Sequence, residues 1–366
     1  MKEESITNKQ LFFLVLLAQI GSRVLTLPYA EVEYAGTNGW LAVLLGGCVA
    51  QICIFIIWML GNQYPSQHIY QYLKTSVGKL LGGTLTIVFG LYFMYSALIV
   101  SLRYVEMLDR WVLLQTPWWV ILLMFFIASG YAAMSSLRVL SFISKTVFII
   151  LVLGCVLIIF SGLKQADIRY VLPLWHGGGT SFAYGVFQGF LACLAFDILL
   201  YAYPFVQKGK GKILKATTYA NVLSTVMYAL VVLICSLNFT PEQMSRVPEP
   251  IIFILKQYNW EVIQSIDIIF IIFWFVIVAT TVYVYLFLTS KAINHIGEKE
   301  GKNHVLWVWI STGICFTLAC WISADKKAIS FVTGSPYEIS SVVCVFVIPL
   351  LLLIVSSISH ARRRNL

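Results

Sequence analysis

The sequence predicts an all-α membrane protein of about ten transmembrane helices. Three observations predict it. The 366-residue chain is 60% hydrophobic and only 11% charged, where a soluble domain carries roughly 25% charged residues. Its charges fall in clusters separated by apolar runs of roughly 20 residues, the length a helix needs to cross a hydrocarbon core of about 30 Å. Those runs, such as Phe148 to Phe160, do not alternate every second residue as β-barrel strands do.

Taken in chain order, the spans are predicted at 9–30, 38–61, 81–108, 117–135, 140–161, 180–206, 214–238, 261–290, 304–322 and 338–359. The whole chain reads as one polytopic membrane domain, 1–366. The first apolar stretch, Leu11 to Pro28, is too long for a signal-peptide core and contains Arg23, so it reads as span one and not as a cleaved leader. The third and eighth spans exceed what a bilayer requires, which implies tilt or extension into water. The fourth is the weakest, because Ser129 to Ser136 is only mildly apolar.

The loops set the orientation. Alternate loops and termini divide the 25 Lys and Arg unevenly. Sixteen lie on the side holding both termini and seven on the other, with Arg23 and Arg103 inside spans. Basic loops stay in the cytoplasm, so both termini are expected there. The net charge of +9 is therefore topological and gives no reason to expect nucleic acid. The eight cysteines lie in apolar spans without metal or redox spacing. Gly177-Gly178-Gly179 after Trp175-His176 has neither the preceding strand nor the following Lys-Ser/Thr of a phosphate loop. No nucleophile–base constellation is visible, so an enzyme is not expected, and no cofactor or metal is implied. The outer loop Thr240–Tyr258 opens with an N-cap Thr240 and Pro241 at the first helical position. A second start stands at Pro250 before apolar Ile251, Ile252, Ile254 and Leu255, which predicts a helical outer lid.

Function shows where apolar uniformity fails. In span one, Gly21, Ser22 and Arg23 stand near mid-depth with Pro28 beyond. Mid-membrane arginine costs about 2.5–3.5 kcal/mol on insertion scales, so it needs a partner or a wet cavity. Gly and Ser permit local unwinding, which is tolerated only against protein or water. The alternative is a kinked helix with Arg23 snorkelling. In span six, small residues gather in Phe190-Leu191-Ala192-Cys193-Leu194-Ala195, with Asp197 directly after and Pro204 at the end. An Arg23–Asp197 pair would satisfy both charges. Arg103 and Glu106 have the spacing of a local i,i+3 pair. Paired defects in the first and sixth of ten spans imply a five-plus-five inverted repeat with two broken helices and a midplane site between them. Half-helix N-termini attract a carboxylate and half-helix C-termini an ammonium group, so the site suits a zwitterion such as an amino acid.

The pattern G-x-x-x-x-x-x-P at Gly21 to Pro28 resembles the G-x-G-[IV]-[FL]-x-x-P signature of the amino acid/polyamine/organocation transporter superfamily. Ala192 to Asp197 is similar to its span-six F-[AS]-F-x-G-F-[DE] motif. Arg23 stands at the second glycine and Ala195 at the span-six glycine, which implies a narrower and more charged site. The opening ITNKQLFFLVLLAQIGSRVLTLP resembles the B subunit of spore germinant receptors, the spore germination permeases. The resemblance implies a leucine-transporter-type fold and a nutrient sensor in the spore inner membrane. It also implies A and C partner subunits and a small germinant, usually an amino acid, bound in the transporter-like pocket. Carried onto this chain, the ligand residues are Gly21, Ser22 and Arg23 with Leu25, and Ala192, Leu194, Ala195 and Asp197 with Phe190. Spans three and eight would add Tyr92 or Tyr95, and Trp274 or Phe275. An ion-coupled amino acid transporter remains the alternative function.

Overall fold

The computed structural model describes residues 5–113, 115–172, 179–207, 210–257, 266–297 and 303–364. Its described residues are helical in the order the hydropathy predicts. Span one starts at Asn8, where Thr7 accepts from the Gln10 backbone N–H and Gln10 reaches back to the Thr7 N–H. It runs as Asn8–Gln19, breaks, and resumes as Arg23–Ala35. The next five segments are span two (Gly39–Gln63), span three (Lys79–Trp111), span four (Trp118–Ala133), span five (Leu137–Leu163) and span six (Gly179–Ala192, then Phe196–Phe205). Spans seven to nine are Lys210–Asn238, Ile266–Ile296 and His304–Ser323. Span ten runs from Ser335 to Arg364 through a π-helical turn at Val343–Val347.

Among the described residues, seven helical runs are long and apolar enough to cross a membrane, or eight with the two bent halves of span six taken as one. The difference from ten has a physical reason. Span one is divided between two short helices, its second half running on into span two, and span four has only 16 residues. Spans three and eight are the long ones, at 33 and 31 residues. They pack along each other, while spans one, two, six and seven pack together beside them.

Spans two and six approach closely because they meet through glycines. A Cβ on Gly46 would lie 2.4 Å from the Phe190 backbone nitrogen, and one on Gly189 would lie 2.8 Å from the Val43 Cα. In lipid, where apolar burial drives no helix association, such small-residue faces gain dispersion contacts.

Both helices predicted after span seven form. Thr240 caps Pro241–Met244, and Pro250–Gln257 buries Ile251, Ile252, Ile254 and Leu255. Both helices lie against Arg23–Ala35, the second also against span five. Glu249 fixes the lid by accepting from Arg110 Nη1 at 2.8 Å and Trp111 Nε1 at 2.9 Å. The segment Trp175 to Gly178 lies outside the described residues. Two short helices escaped the sequence reading. One is Ile69–Val77 between spans two and three, and the other is Lys326–Thr333 before span ten.

Candidate functional site

Both predicted breaks are present. Span one loses its ladder at Ile20, Gly21 and Ser22. Span six loses it at Cys193–Ala195 and bends by 48°. Ala195 adopts φ 76°, the left-handed region, without being glycine. An alanine there carries steric strain of about 1–2 kcal/mol.

Between the breaks lies a cavity of about 40 Å³. Six predicted ligand residues line it: Gly21, Ser22, Arg23, Ala192, Leu194 and Ala195. Ala18 and Gln19 of span one, Leu191 of span six, Tyr285 and Thr281 of span eight, Tyr228 of span seven, Tyr337 of span ten and Val100 of span three complete the wall.

The first half-helix of span one ends at the cavity with orphan carbonyls, as any helix C-terminus must. Side chains from spans seven and eight cap them. Thr280 donates to the Leu17 carbonyl at 2.8 Å, Thr281 to Ala18 at 2.9 Å, and Tyr228 to Gln19 at 2.8 Å. Trp274 Nε1 donates to Gly21 at 3.4 Å. Each carbonyl keeps a second lone pair. The second half-helix starts the opposite way, with Ser22 at its N-cap making no side-chain cap bond. Its first N–H groups, beside the Arg23 guanidinium, form a place for an anion. Gln19 joins the two breaks. Its amide donates to the Cys193 carbonyl at 2.7 Å and to Asn221 at 3.1 Å, and it accepts from Ser224 at 3.1 Å. Sequence reading passed over Gln19 because a glutamine just before a charged defect carries no pattern of its own.

Several expected placements are corrected. Arg23 and Asp197 form no ion pair. Arg23 Nη1 donates instead to Gln188 Oε1 at 3.0 Å, and Gln188 Nε2 donates to Glu338 Oε1 at 2.8 Å. Tyr184 also donates to Glu338, at 3.0 Å. Spans one, six and ten are thereby tied on the side of the cavity away from the termini. Asp197 lies beyond the break toward the other face. It is buried, and among the described residues neither carboxyl oxygen makes a hydrogen bond of good geometry, although the Tyr92 hydroxyl and the Asp197 and Ile198 N–H groups lie close by. A bare carboxylate there would be costly.

Leu25 and Phe190 are buried but do not line the cavity. Leu25 lies two residues past Arg23, a rotation of about 200° to the far side of its helix, and Phe190 stands one step of about 100° round from the lining Leu191. The Phe190 ring lies 6.3 Å from the Phe187 ring. Tyr92 and Tyr95 line a separate apolar groove between spans three, nine and ten, and Tyr95 donates to the Val332 carbonyl. Trp274 stands behind the break and fastens Gly21, while the span-eight aromatic facing the cavity is Tyr285, eleven residues and three turns further along. Phe275 meets Tyr104 at a tilt and Phe125 edge to face. Arg103 does not pair with Glu106. It donates to the Thr333 carbonyl at 2.6 Å, and Glu106 pairs with Arg110 one turn on at 3.1 Å.

Glu31 is a second buried carboxyl in span one, with both oxygens unpaired and a Cβ on Gly185 placed 3.0 Å from its Oε2. Opposite, the N-terminal strap closes onto the end of span six. Ile6 N–H donates to the Phe205 carbonyl at 2.9 Å, and Gln207 N–H donates to the Ile6 carbonyl at 2.8 Å.

Known proteins share this architecture. The chain covers 94% of its own length on a Na+-coupled sialic acid symporter (TM-score 0.67, 12% identity, 80% of that chain). It covers 98% on MhsT in complex with L-phenylalanine (TM-score 0.64, 13% identity, 99% of that chain). These likenesses establish the leucine-transporter fold, with its five-plus-five repeat and broken first and sixth spans. In sequence, the chain is 24% identical over 301 residues to the spore germination protein GerQB of Bacillus cereus, covering 81% of this chain and 82% of that one. It is 22% identical over 354 residues to the spore germination protein YndE of Bacillus subtilis (strain 168), covering 96% of each. Residues 5–328 match the sequence profile of the spore permeases, described as spore germination proteins. Two facing helix breaks in a transporter scaffold and a profile that spans most of the sequence agree, and the chain belongs to the spore germination protein family.

Proposed function

We propose that this chain is the nutrient-sensing subunit of a germinant receptor in the spore inner membrane, with both termini cytoplasmic and with A and C subunits as partners. Its ligand is a small zwitterion, an amino acid, held between the two breaks. One observation carries this reading: opposite partial charges face the same small cavity. The uncapped N-terminus at Ser22–Arg23 suits a carboxylate, and the carbonyls of Ala18, Gln19 and the end of the first span-six helix suit an ammonium group. The cavity's size and its Ala192, Leu194 and Ala195 wall favour a small apolar side chain. The orientation is supported by the sixteen-to-seven division of basic residues.

A sensor needs two states that a ligand tells apart. The Arg23–Gln188–Glu338 chain supplies such an element. A carboxylate at Arg23 competes with Gln188 for the guanidinium, so occupancy alters the tie between spans one, six and ten. Labelled alanine offered to the purified chain in liposomes tests the reading. Saturable binding without accumulation supports a sensor. Concentrative uptake driven by an ion gradient would favour the ion-coupled transporter, and no binding of any amino acid would sink the pocket.

A further inference from the structure

On the face carrying the termini, a groove of about 290 Å³ opens between the N-terminal strap, the start of span one and the start of span five. Lys9, Arg138 and Lys145 all line it, together with Phe13, Phe142 and Gln207. All three cations are exposed. Among the described residues no carboxylate lines the groove and none of the three has an ion-pair partner. The Arg138 guanidinium rests 6.0 Å from the centre of the Phe142 ring.

The placement runs against the local electrostatics. Lys9 is the second residue of Asn8–Gln19, and Arg138 the second of Leu137–Leu163. Helix N-termini carry partial positive charge and favour anions. Two such termini with a cation each, plus Lys145 two turns below Arg138 on the same face, leave a concentrated positive potential that nothing among the described residues balances. The groove's outer wall indicates where the balance comes from. Phe142 is exposed, and Val139, Ile149, Val152 and Leu153 continue an exposed apolar surface down span five. Cations at the rim above an apolar wall reproduce the layering of a bilayer leaflet.

We propose that this groove binds an anionic phospholipid. Arg138 and Lys9 take its phosphate, Lys145 its deeper glycerol-ester end, and Phe142 and Ile149 the first acyl chain. A side chain placed as Lys145 is, below the rim of a span, reaches back toward the headgroups because helical Cβ bonds tilt toward the N-terminus. Basic pockets between spans on a cytoplasmic face suit such headgroups. The bound lipid would also brace the strap from Ser5 to Gln10, whose Ile6 pairs with the end of span six.

The shared chemistry is a phosphate group, which could come from a lipid or from free phosphate. The purified, delipidated chain is examined by native mass spectrometry and by thermal unfolding in detergent, with phosphatidylglycerol, phosphatidylcholine of the same acyl chains, and inorganic phosphate added in turn. Retained phosphatidylglycerol and a higher unfolding midpoint with it alone are expected. Equal stabilisation by inorganic phosphate, or by phosphatidylcholine, overturns the lipid assignment. Lys9→Gln, Arg138→Gln and Lys145→Gln should each weaken phosphatidylglycerol binding roughly fivefold, and the triple variant about a hundredfold. Lys9→Arg with Lys145→Arg should retain it. Undiminished phosphatidylglycerol binding in the single variants overturns the site even if the triple variant fails to fold. An acidic peptide from a partner protein that binds the groove while phosphatidylglycerol does not would overturn it as well.

Discussion

Replacing Gly46 by alanine should do far more damage than one methyl group suggests. The new Cβ would stand 2.4 Å from the Phe190 nitrogen, 2.5 Å from the Gly189 carbonyl carbon and 2.7 Å from the Val186 carbonyl oxygen. All three are backbone atoms of span six, so no side chain can swing aside. Restoring ordinary contact, which begins at 3.4 Å, requires spans two and six to separate by about 1 Å, the difference between 3.4 and 2.4 Å. Overpacking of this kind typically costs about 1–3 kcal/mol. The same shift carries Gln188 off Arg23 and moves Leu191 and Ala192 at the cavity. Gly313 is the control. It is an exposed helical glycine with nothing within 4 Å of a new Cβ, and Gly313→Ala should be neutral or gain about 0.5–1 kcal/mol from helix propensity. Thermal unfolding of the three proteins in one detergent should therefore show opposite signs, with Gly46→Ala several degrees below wild type. If Gly46→Ala melts with wild type, spans two and six are not in contact as described and the cavity walls are misplaced.

Ala195→Gly should stabilise the chain by about 1 kcal/mol by removing left-handed strain, and a lower melting point would show that the methyl group is packed. Ala195→Leu should insert normally yet blunt the response to alanine, measured as germination of spores carrying the variant; full sensitivity would count against the site. In double-mutant cycles read by unfolding, Arg23→Gln with Gln188→Ala should couple by roughly 0.5–3 kcal/mol, whereas Arg23→Gln with Asp197→Asn should add within about 0.5 kcal/mol. Strong coupling in the second cycle would restore the Arg23–Asp197 pair. Gln19→Leu should destabilise by about 1–3 kcal/mol for each buried group it orphans, and Gln19→Glu, which keeps the acceptor for Ser224 but turns an oxygen onto the Cys193 carbonyl and Asn221 Oδ1, should lose at least as much. Glu249→Gln should cost about 1–3 kcal/mol, because Glu249 is buried and its amide would leave Arg110 Nη1 or Trp111 Nε1 without an acceptor, and it should speed proteolysis within 240–257.

Hydropathy located every span to within a few residues, apart from longer ends on span one, span eight and the tenth. Gly21-Ser22-Arg23 and Ala192–Asp197 marked both breaks. These are signals of composition along one helix, and lipid leaves them intact. The direction a side chain faces is another matter. Leu25 and Phe190 were assigned to the pocket and turn away from it, while Tyr285 was overlooked in favour of Trp274. In a soluble helix the polar stripe would have revealed the buried face. Here the lipid-facing and protein-facing sides are both apolar, so the sequence carries almost no record of helix rotation.

Partner choice shows the same limit. The sequence offered Arg23 one charged acceptor, Asp197 in the span-six break; Gln188, about two and a half turns earlier, carries no charge to mark it. The break decided otherwise, because it sends the two halves of span six to opposite sides of the cavity and leaves Asp197 on the side Arg23 does not face.

What the sequence determined by itself was the class of fold, the number and order of spans, and the two places where backbone would be released at mid-depth, because each depends on residues within a few turns of one another. Only the tertiary structure decided which side chains occupy the released carbonyls, which residues face the cavity and what Arg23 binds. Those outcomes depend on how helices distant in sequence are rotated and packed, and between apolar neighbours that rotation is set by shape complementarity, with no hydrophobic pattern to announce it.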